Sequence, residues 1–241
     1  VSEDLTAQAA FGALPMVVGR ERELDEVVRV MESGTGSVIL VGQSAVGRHA
    51  IVNGLAIRMV LEDVPALLTD KRLVSLSIPR LIAGVHTSEA EATLLRALYE
   101  VGASGNIVLV IPELAAMAGG SATHGLDLLE TFAIELQKGY FLCVALATPE
   151  EYRAIIERRS IVRHLGKVPI EEMKPEAAIR VLEISAAGIE ARNGVSFTIG
   201  ALEAAVRLTD RYLHDELLPG KAISVLRIAA LQTRKTRGAG A

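Results

Sequence analysis

The amino-acid sequence predicts an α/β fold, in which a five-stranded parallel sheet is flanked by helices and followed by a small region built only from helices. Two observations lead to this prediction. Short apolar runs bounded by turn residues alternate with segments of helical period as far as residue 173, a pattern typical of parallel α/β architecture. From Lys174 onward only helical periodicity remains. We therefore expect an α/β domain at residues 1–173 and an all-helical domain at residues 174–241.

Five apolar runs are predicted to form the strands of the sheet. Each is short and rich in Val, Ile and Leu, as expected for strands that are buried on both faces of a parallel sheet. The predicted strands are Ser37–Gly42, Arg72–Ile78, Ile107–Ile111, Tyr140–Thr148 and Lys167–Ile170. The helices predicted for the carboxyl-terminal region are Pro175–Asn193, Ile199–Leu213 and Lys221–Arg237.

The composition argues against several classes of protein. Of the 241 residues 50% are hydrophobic but only 3% are aromatic, so the core must consist mainly of Ala, Val, Ile and Leu. The net charge of −4 gives no basic field, which argues against a nucleic-acid partner. No apolar run has the length of a membrane span. The single cysteine, Cys143, lies in an apolar run, so we expect a buried thiol in a cytoplasmic protein.

The stretch VGQSAVGRHA, residues 41–50, joins a predicted strand to a predicted helix and is similar to a phosphate-binding loop. Gly42 and Gly47 have the spacing of the motif G-x-x-x-x-G-K-[S/T], but Arg48 stands where the motif has Lys and His49 where it has Ser or Thr. The backbone N–H groups of such a loop bind phosphate without help from side chains, so phosphate binding can survive both substitutions. Those N–H groups belong to Ser44, Ala45, Val46 and Gly47.

Magnesium ligands are missing from both motifs that normally supply them. A Ser or Thr hydroxyl at the position of His49 would bind Mg²⁺, whereas an imidazole is a poor ligand for this hard cation. In P-loop ATPases a buried strand also ends in Asp-Glu, and here the strand ends in Pro112-Glu113. Because proline offers no ligand atom, we expect no metal site and a weak or absent dependence on Mg²⁺. Glu113 is then either a residual catalytic carboxylate or a solvated surface residue.

Four longer segments follow one another in the order known from one protein family. The first is LTAQAAFGALPMVVGRERELDEVVRVM (5–31). The second is residues 41–84, which begin with the glycine loop as VGQSAVGRHAIVNGLA and end in LIAG. The third and fourth are CVALATPEEYRAIIE (143–157) and LTDRYLHDELLPGKAISVLRIAA (208–230). The chain resembles the first AAA+ ATPase module of the Clp unfoldases, the ClpA, ClpB and ClpC group, whose motifs read GVGKT and LPdKAI at the second and fourth segments. The resemblance implies the AAA+ P-loop fold with a helical lid, ATP or ADP as cofactor, and Clp-like modules as partners in a homo- or hetero-oligomer that acts on protein substrates.

The resemblance also implies an adenine pocket, and the residues of that pocket are present. One side is the segment whose backbone and apolar side chains enclose the base in the family, here Val17, Val18, Gly19 and Arg20. The lid positions that close on the base correspond to Ile179, Leu182, Pro219 and Ile223. Lys221 is kept in the lid motif, but Gly220 replaces the Asp that precedes it in the family.

The departures from the family fall on the positions for magnesium and for the γ-phosphate. Glu113 matches the catalytic glutamate of the family. Arg163 matches one of two arginines that reach the nucleotide of the neighbouring subunit, and His164 replaces the other. Ala147, or alternatively Thr148, matches the polar sensor of the γ-phosphate, where the family has a Thr-Thr pair. Both Walker motifs are therefore degenerate by this comparison.

The loop that grips protein substrates in the family departs as well. It normally carries an aromatic residue, which is replaced here by Thr87, and a glycine, which is replaced by Glu89. Positions for the fold and for adenine thus match the family, while positions for metal, γ-phosphate and translocation do not. This division is what we expect of a module that folds and assembles without hydrolysing nucleotide.

Three functions remain open from the sequence. The departures favour a degenerate AAA+ module that binds ATP or ADP weakly or structurally and serves the assembly or regulation of a Clp-like protein-remodelling complex. The second is an active ATP-dependent unfoldase, in which Arg48 neutralises phosphate charge and Glu113 orients water. The third is a nucleotide-free interaction scaffold, in which Arg48 and His49 fill the old phosphate pocket. Whether the chain is an enzyme is left open.

Overall fold

A computed structural model of the chain describes residues 2–34, 36–84, 87–118 and 127–238. Its internal contacts divide the chain into two compact units. The sheet unit consists of Val1–Pro15, Arg22–Gly42 and Arg48–Pro169, and the helical unit consists of Met16–Glu21, Gln43–Gly47 and Ile170–Ala241. The phosphate loop therefore belongs with the carboxyl-terminal helices, although it lies far from them in sequence. The boundary after residue 173 stays a prediction.

Among the residues described, six strands form one sheet. They are β1 (Ser2–Asp4), β2 (Val38–Gly42), β3 (Arg72–Leu76), β4 (Ile107–Ile111), β5 (Leu142–Ala147) and β6 (Gly166–Ile170), in the order β1-β3-β4-β5-β2-β6. The pairs from β3 to β2 are parallel, with Leu73 opposite Val108 and Val38 opposite Val144. All five predicted strands are present. The sequence does not predict the edge strand β1, antiparallel to β3, because its residues SED are polar and largely exposed.

Seven α-helices and three shorter helical turns accompany the strands in the described part of residues 2–164. They are α1 (Leu5–Ala10), α2 (Glu21–Ser33), α3 (Arg48–Val60), α4 (Ile78–Ile82), α5 (Thr87–Ser104), α6 (Leu128–Gln137) and α7 (Pro149–Glu151), with 3-10 helices at Leu114–Met117 and Ser160–His164 and a π-helix at Tyr152–Ile156. Asp4 caps α1 by accepting a hydrogen bond from the Ala7 N–H at 2.9 Å. Within the ranges given above, no helix combines the length and apolarity needed to cross a membrane.

The central strands are buried on both faces, which is why they read as continuous apolar runs. Every residue of β2 is buried, and so is β5 from Cys143 to Ala147. Aliphatic side chains of α3, including Ile51 and Leu55, pack on this sheet with almost no exposed surface. Burial raises the pKa of the Cys143 thiol well above its usual range, and the prediction of a buried cysteine is confirmed.

The helical unit contains α8 (Pro175–Asn193), α9 (Ile199–Tyr212) and α10 (Gly220–Gly238). The predicted helices are confirmed to within one residue at each end. Helix α8 ends at Gly194, whose φ of +64° lies in the left-handed region that glycine adopts freely. The three helices share an aliphatic core formed mainly by Ala178, Leu182, Ala186, Leu202, Val206, Leu218, Ala222 and Leu226.

Candidate functional site

The phosphate loop, residues 43–47, links the end of β2 to the start of α3. Gly47 has a φ of +106° and Ala45 a φ of +62°, both in the left-handed region. Glycine adopts this conformation freely, but an alanine there costs about 1–2 kcal/mol. Val46 is buried, whereas the three residues before it are exposed: Gln43, Ser44 and Ala45. The loop is thus anchored by one apolar side chain and leaves much of its backbone accessible.

Arg20 joins the phosphate loop to the chain that leads into α8. The residue is buried, with only 3% of its surface exposed. Its Nη2 donates hydrogen bonds to the carbonyl oxygen of Val46 at 2.7 Å and to that of Glu171 at 3.0 Å. A buried guanidinium is stable only when such acceptors compensate its lost hydration. Arg20 therefore fastens the loop within the helical unit.

The segment before Arg20 lies against the start of α8. Gly19 has a φ of +76°, and a side chain in its place would lie 3.4 Å from Met173 Cε and 3.5 Å from Ala177 Cβ. Val17 and Val18 are half-buried and so present part of their apolar surface. Their role in an adenine pocket stays a prediction.

The predicted base-closing positions differ in exposure. Leu182 is fully buried in the core of the helical unit, so it supports α8 and presents no surface. Ile179 and Ile223 are half-buried and pack against that core with part of each side chain exposed. Pro219 is buried and follows Leu218 through a cis peptide bond, immediately before α10.

Lys221 is already engaged by groups of its own unit. Its Nζ donates to the Leu213 carbonyl oxygen at 3.2 Å, and it lies 3.3 Å from Glu172 Oε1 and 3.6 Å from Asp210 Oδ1. Only 3% of the residue is exposed. The ammonium group therefore holds together the start of α10, the end of α9 and the chain before α8. Its assignment as a nucleotide ligand stays a prediction.

Gly220, the first residue of α10, lies directly against the phosphate loop. A Cβ built on Gly220 would lie 2.5 Å from Ala45 Cβ and 2.8 Å from the Ala45 carbonyl oxygen. Both distances are shorter than real Cβ contacts, so no side chain fits at this position unless the loop moves.

In the sheet unit, Arg48 and His49 begin α3. Partial burial lowers the pKa of the Arg48 guanidinium, and the charge of Glu151 opposes that shift. Partial desolvation lowers the pKa of the His49 imidazole, the positive charge of Arg48 lowers it further, and the carboxylate of Glu113 opposes both effects. The net shift favours the neutral imidazole, and both charged neighbours contribute to it.

A cavity of about 590 Å³ lies at the carboxyl ends of β3 and β4. Its wall brings together His49, Pro112 and Glu113, the three residues that the sequence singled out for metal and water chemistry. Glu113 is exposed, and in the part of the chain that is described its carboxylate accepts no hydrogen bond. The remaining polar lining includes Glu3, Gln8, Asn53, Ser75, Ser77 and Arg80.

The side chains at these three positions do not suit magnesium. Glu113 offers carboxylate oxygens, His49 offers a nitrogen, and Pro112 offers nothing, whereas Mg²⁺ binds through an octahedron of oxygen atoms. Among the described residues, no group of three His, Cys, Asp or Glu side chains could hold a metal ion. The side chains of His49 and Pro112 therefore offer magnesium no oxygen ligand at this place.

The candidate sensor and arginine positions lie apart from the cavity lining. Ala147 is buried at the end of β5. The Thr148 hydroxyl accepts from the Glu151 N–H at 3.2 Å, and the Glu151 carboxylate accepts from the Thr148 N–H at 2.7 Å, so both cap α7. Arg163 is exposed and, among the described residues, makes no ion pair or hydrogen bond.

The substrate-gripping loop is only partly described. Residues 85 and 86 lie outside the described residues, and the side chain of Thr87 does too. Glu89 is exposed in the first turn of α5. The role predicted for these positions therefore stays a prediction.

The sequence missed the contacts that tie the phosphate loop to the helices. The resemblance places Arg20 in an adenine pocket, and the structure shows that its Nη2 donates to two backbone carbonyls. The sequence does not predict the contact between Ala45 and Gly220 either, because nothing in it says that two residues so far apart will meet. The sequence does contain a related pair of departures from the family motifs. Ala45 replaces a glycine in the phosphate loop, and Gly220 replaces an aspartate at the start of α10.

Comparison with protein families matches residues 174–239 to the AAA lid domain. Over 238 residues the chain is 34% identical to the negative regulator of genetic competence ClpC/MecB of Bacillus subtilis, a match that covers 97% of this chain and 29% of that protein. Over 234 residues it is 38% identical to the chaperone protein ClpB of Bdellovibrio bacteriovorus, with 95% and 27% covered. The chain belongs to the Clp family of AAA+ proteins. The predicted resemblance is confirmed.

The solved structure of a Clp relative agrees with the fold. Hsp104 of S. cerevisiae in complex with ADP superposes with a TM-score of 0.91 at 29% identity, over 98% of this chain and 41% of that one. Helices α8 to α10 of this Clp-type module lie in the stretch that matches the lid. The chain spans less than a third of the length of the two Clp proteins named above.

Proposed function

We propose that this Clp-type module binds ATP or ADP without efficient hydrolysis and serves the assembly or regulation of a Clp-like protein-remodelling complex. The observation that carries the proposal is the wall of the 590 Å³ cavity, where His49 and Pro112 stand beside Glu113. At the two positions where the family motifs supply magnesium ligands, this chain has an imidazole and a proline. Of His49, Pro112 and Glu113, only Glu113 has a side-chain oxygen.

The nucleotide-binding half of the proposal rests on the helical unit and on the start of α3. The loop backbone and the N-terminus of α3 would hold phosphate groups, and Arg48 would add positive charge. Val17 and Val18 would pack on the base, with Ile179 and Ile223 on its other side. The Hsp104 relative was solved as a complex with ADP, which supports ADP as the ligand to try first.

The loss of hydrolysis follows from the contacts that are missing. Phosphoryl transfer depends almost wholly on positioning and charge stabilisation, and removing one such donor costs roughly 10²–10³ in rate. Here the metal ligands are replaced, Ala147 has no polar group, and the Thr148 hydroxyl is engaged in capping α7. A nucleotide held by the loop would therefore turn over slowly.

The partners we propose are other Clp-like AAA+ modules, in a homo- or hetero-oligomer, and through them a protein substrate. Arg163 is exposed and carries a charge without an ion pair among the described residues, as a residue that reaches a neighbouring subunit would. A solved Hsp104 complex with casein supports a protein substrate for the family, and at 28% identity its TM-score is 0.88. A cytoplasmic location stays a prediction.

A second function has one observation in its favour. Glu113 is exposed, lines the cavity and is free of hydrogen bonds from described residues, so it is available to orient a water molecule. An active unfoldase would use that carboxylate together with Arg48. The scaffold that lacks nucleotide is less well supported, because His49 is exposed instead of packed into a filled pocket.

Phosphate release decides between the inactive and the active module. Wild-type protein and Glu113→Gln are incubated with saturating ATP and Mg²⁺, and inorganic phosphate is measured. We expect the two rates to be equal, because turnover by the wild-type module is too slow to exceed the contaminating activity that both preparations carry. A wild-type rate that Glu113→Gln lowers at least tenfold would establish the active unfoldase instead.

A further inference from the structure

A contact between two small residues links the phosphate loop to the lid helix α10. Ala45 has a φ of +62°, in the left-handed region that residues other than glycine rarely adopt. Its Cβ and carbonyl oxygen face the first residue of α10, Gly220. We propose that Ala45 and Gly220 form a steric lock, which holds the phosphate loop against α10 in one conformation whether or not a nucleotide is bound.

Gly220 permits the close approach. The Ala45 carbonyl oxygen lies 2.8 Å from the place where a Cβ of residue 220 would be, and Ala45 Cα lies 3.3 Å from it. These are backbone atoms, so any side chain at Gly220 would push the loop away even if Ala45 lacked its methyl group. No positive φ requires glycine at this position, and the reason for glycine here is space.

Ala45 fills the space that Gly220 leaves. Its methyl group lies 2.5 Å from the position of the absent Cβ, so the two residues cannot both carry side chains in this conformation. The family motifs GVGKT and LPdKAI have glycine at the place of Ala45 and aspartate at the place of Gly220. In this chain the side chain at the contact belongs to the loop residue, Ala45, whereas in the family motifs it belongs to the lid residue. The loop backbone therefore lies closer to α10 than an aspartate at residue 220 would allow.

Two neighbouring contacts hold the loop on the same side. Val46, the next residue, is buried, and its carbonyl oxygen accepts from Arg20 Nη2 at 2.7 Å. Lys221, next to Gly220, is fixed by Glu172 and Asp210. The neighbours of Ala45 and Gly220 are therefore both held by buried polar groups of the same unit, which restricts movement on either side of the contact. The loop and α10 then move together.

The first test uses the wild-type chain without nucleotide, so its result does not depend on the proposed function. Alanine methyl groups are labelled with ¹³C, and Ala45→Gly identifies the Ala45 signal by its disappearance. We expect an order parameter for the Ala45 methyl axis near that of rigid backbone, about 0.85. A value below about 0.6 would mean a mobile loop and would overturn the lock.

The second test adds a single methyl group to the contact. Gly220→Ala is compared with Gly200→Ala, a change near the start of α9 where nothing lies within 4 Å of the new Cβ. Hydrogen exchange of residues 43–47 is expected to be at least tenfold faster in Gly220→Ala than in Gly200→Ala. Equal exchange in the two variants would contradict the lock. In the double variant Ala45→Gly, Gly220→Ala the new Cβ still lies 2.8 Å from the carbonyl oxygen of residue 45, so exchange should stay fast. Exchange as slow as in Gly200→Ala would contradict the backbone part of the lock.

Discussion

The candidate functional residues of the two units differ in kind. In the helical unit, Arg20 and Lys221 are both 3% exposed and bonded to oxygens of the same unit. At the strand ends of the sheet unit, Glu113 and His49 are exposed and line an open cavity. A change at a buried, bonded position unfolds its surroundings, whereas a change at an exposed position leaves the fold intact. The family departures His49 and Pro112 line that cavity, and Arg48 is half-buried at the start of the helix that carries His49.

The largest effect that this comparison predicts concerns Arg20. Arg20→Ala removes the hydrogen bonds to the carbonyls of Val46 and Glu171 and leaves both oxygens without that partner. We expect a loss of about 2–4 kcal/mol in the free energy of unfolding, measured by urea titration. Arg22→Ala, an exposed arginine of α2, is the matched control and should change stability by less than about 0.5 kcal/mol. Equal midpoints for the two variants would mean that Arg20 does not hold the loop.

A smaller effect is expected from restoring the ligands at the strand ends. His49→Thr with Pro112→Asp supplies a hydroxyl and a carboxylate at the positions that face the metal in the family. ADP binding, measured by calorimetry, should become at least tenfold tighter with Mg²⁺ than without it, about 1.4 kcal/mol. The control pairs His49→Thr with Pro112→Asn, which lacks the carboxylate. If the control gains the same dependence, the missing Asp is not what removes magnesium binding.

The sequence showed which motif positions depart from the family, but it could not show which residues are buried and bonded and which are exposed. Apolar runs and helical period predicted five strands and the last three helices, since burial of a sheet and a helix bundle leaves a strong periodic signal. The sequence did not predict β1, because three polar residues at the edge of a sheet produce no such periodic signal. The sequence also did not predict the structural roles of Arg20 and Lys221. Their partners are backbone oxygens and carboxylates far away in sequence, which come near only in the folded chain.

The smallest expected effect is electrostatic. Partial desolvation and Arg48 hold the pKa of His49 below its ordinary value, while Glu113 pulls it upward. Glu113→Gln should therefore lower the pKa of His49 further, as NMR titration of the imidazole would detect. A rise in that pKa would show that Glu113 does not act on His49. Pro112→Ala serves as a control that changes the neighbouring residue without changing charge.

The same shift gives the sign of a pH effect on stability. Because the pKa of His49 is lower in the folded chain than the unfolded value of about 6.5, its contribution to stability is present above that pH. It is lost as pH falls through the folded pKa, since the unfolded chain then binds the extra proton. His49→Asn should flatten this part of the stability profile, and an unchanged slope would contradict the assignment.

The most direct test of the central claim is a calorimetric titration of the wild-type chain with ADP and with ATP, each with and without Mg²⁺. We predict binding whose Kd changes less than about threefold on adding Mg²⁺, because the loop backbone and the segment at Val17–Arg20 hold the nucleotide without a metal. Binding that requires Mg²⁺, with a Kd at least about tenfold tighter in its presence, would contradict the claim. It would mean that the strand ends still bind the metal despite His49 and Pro112.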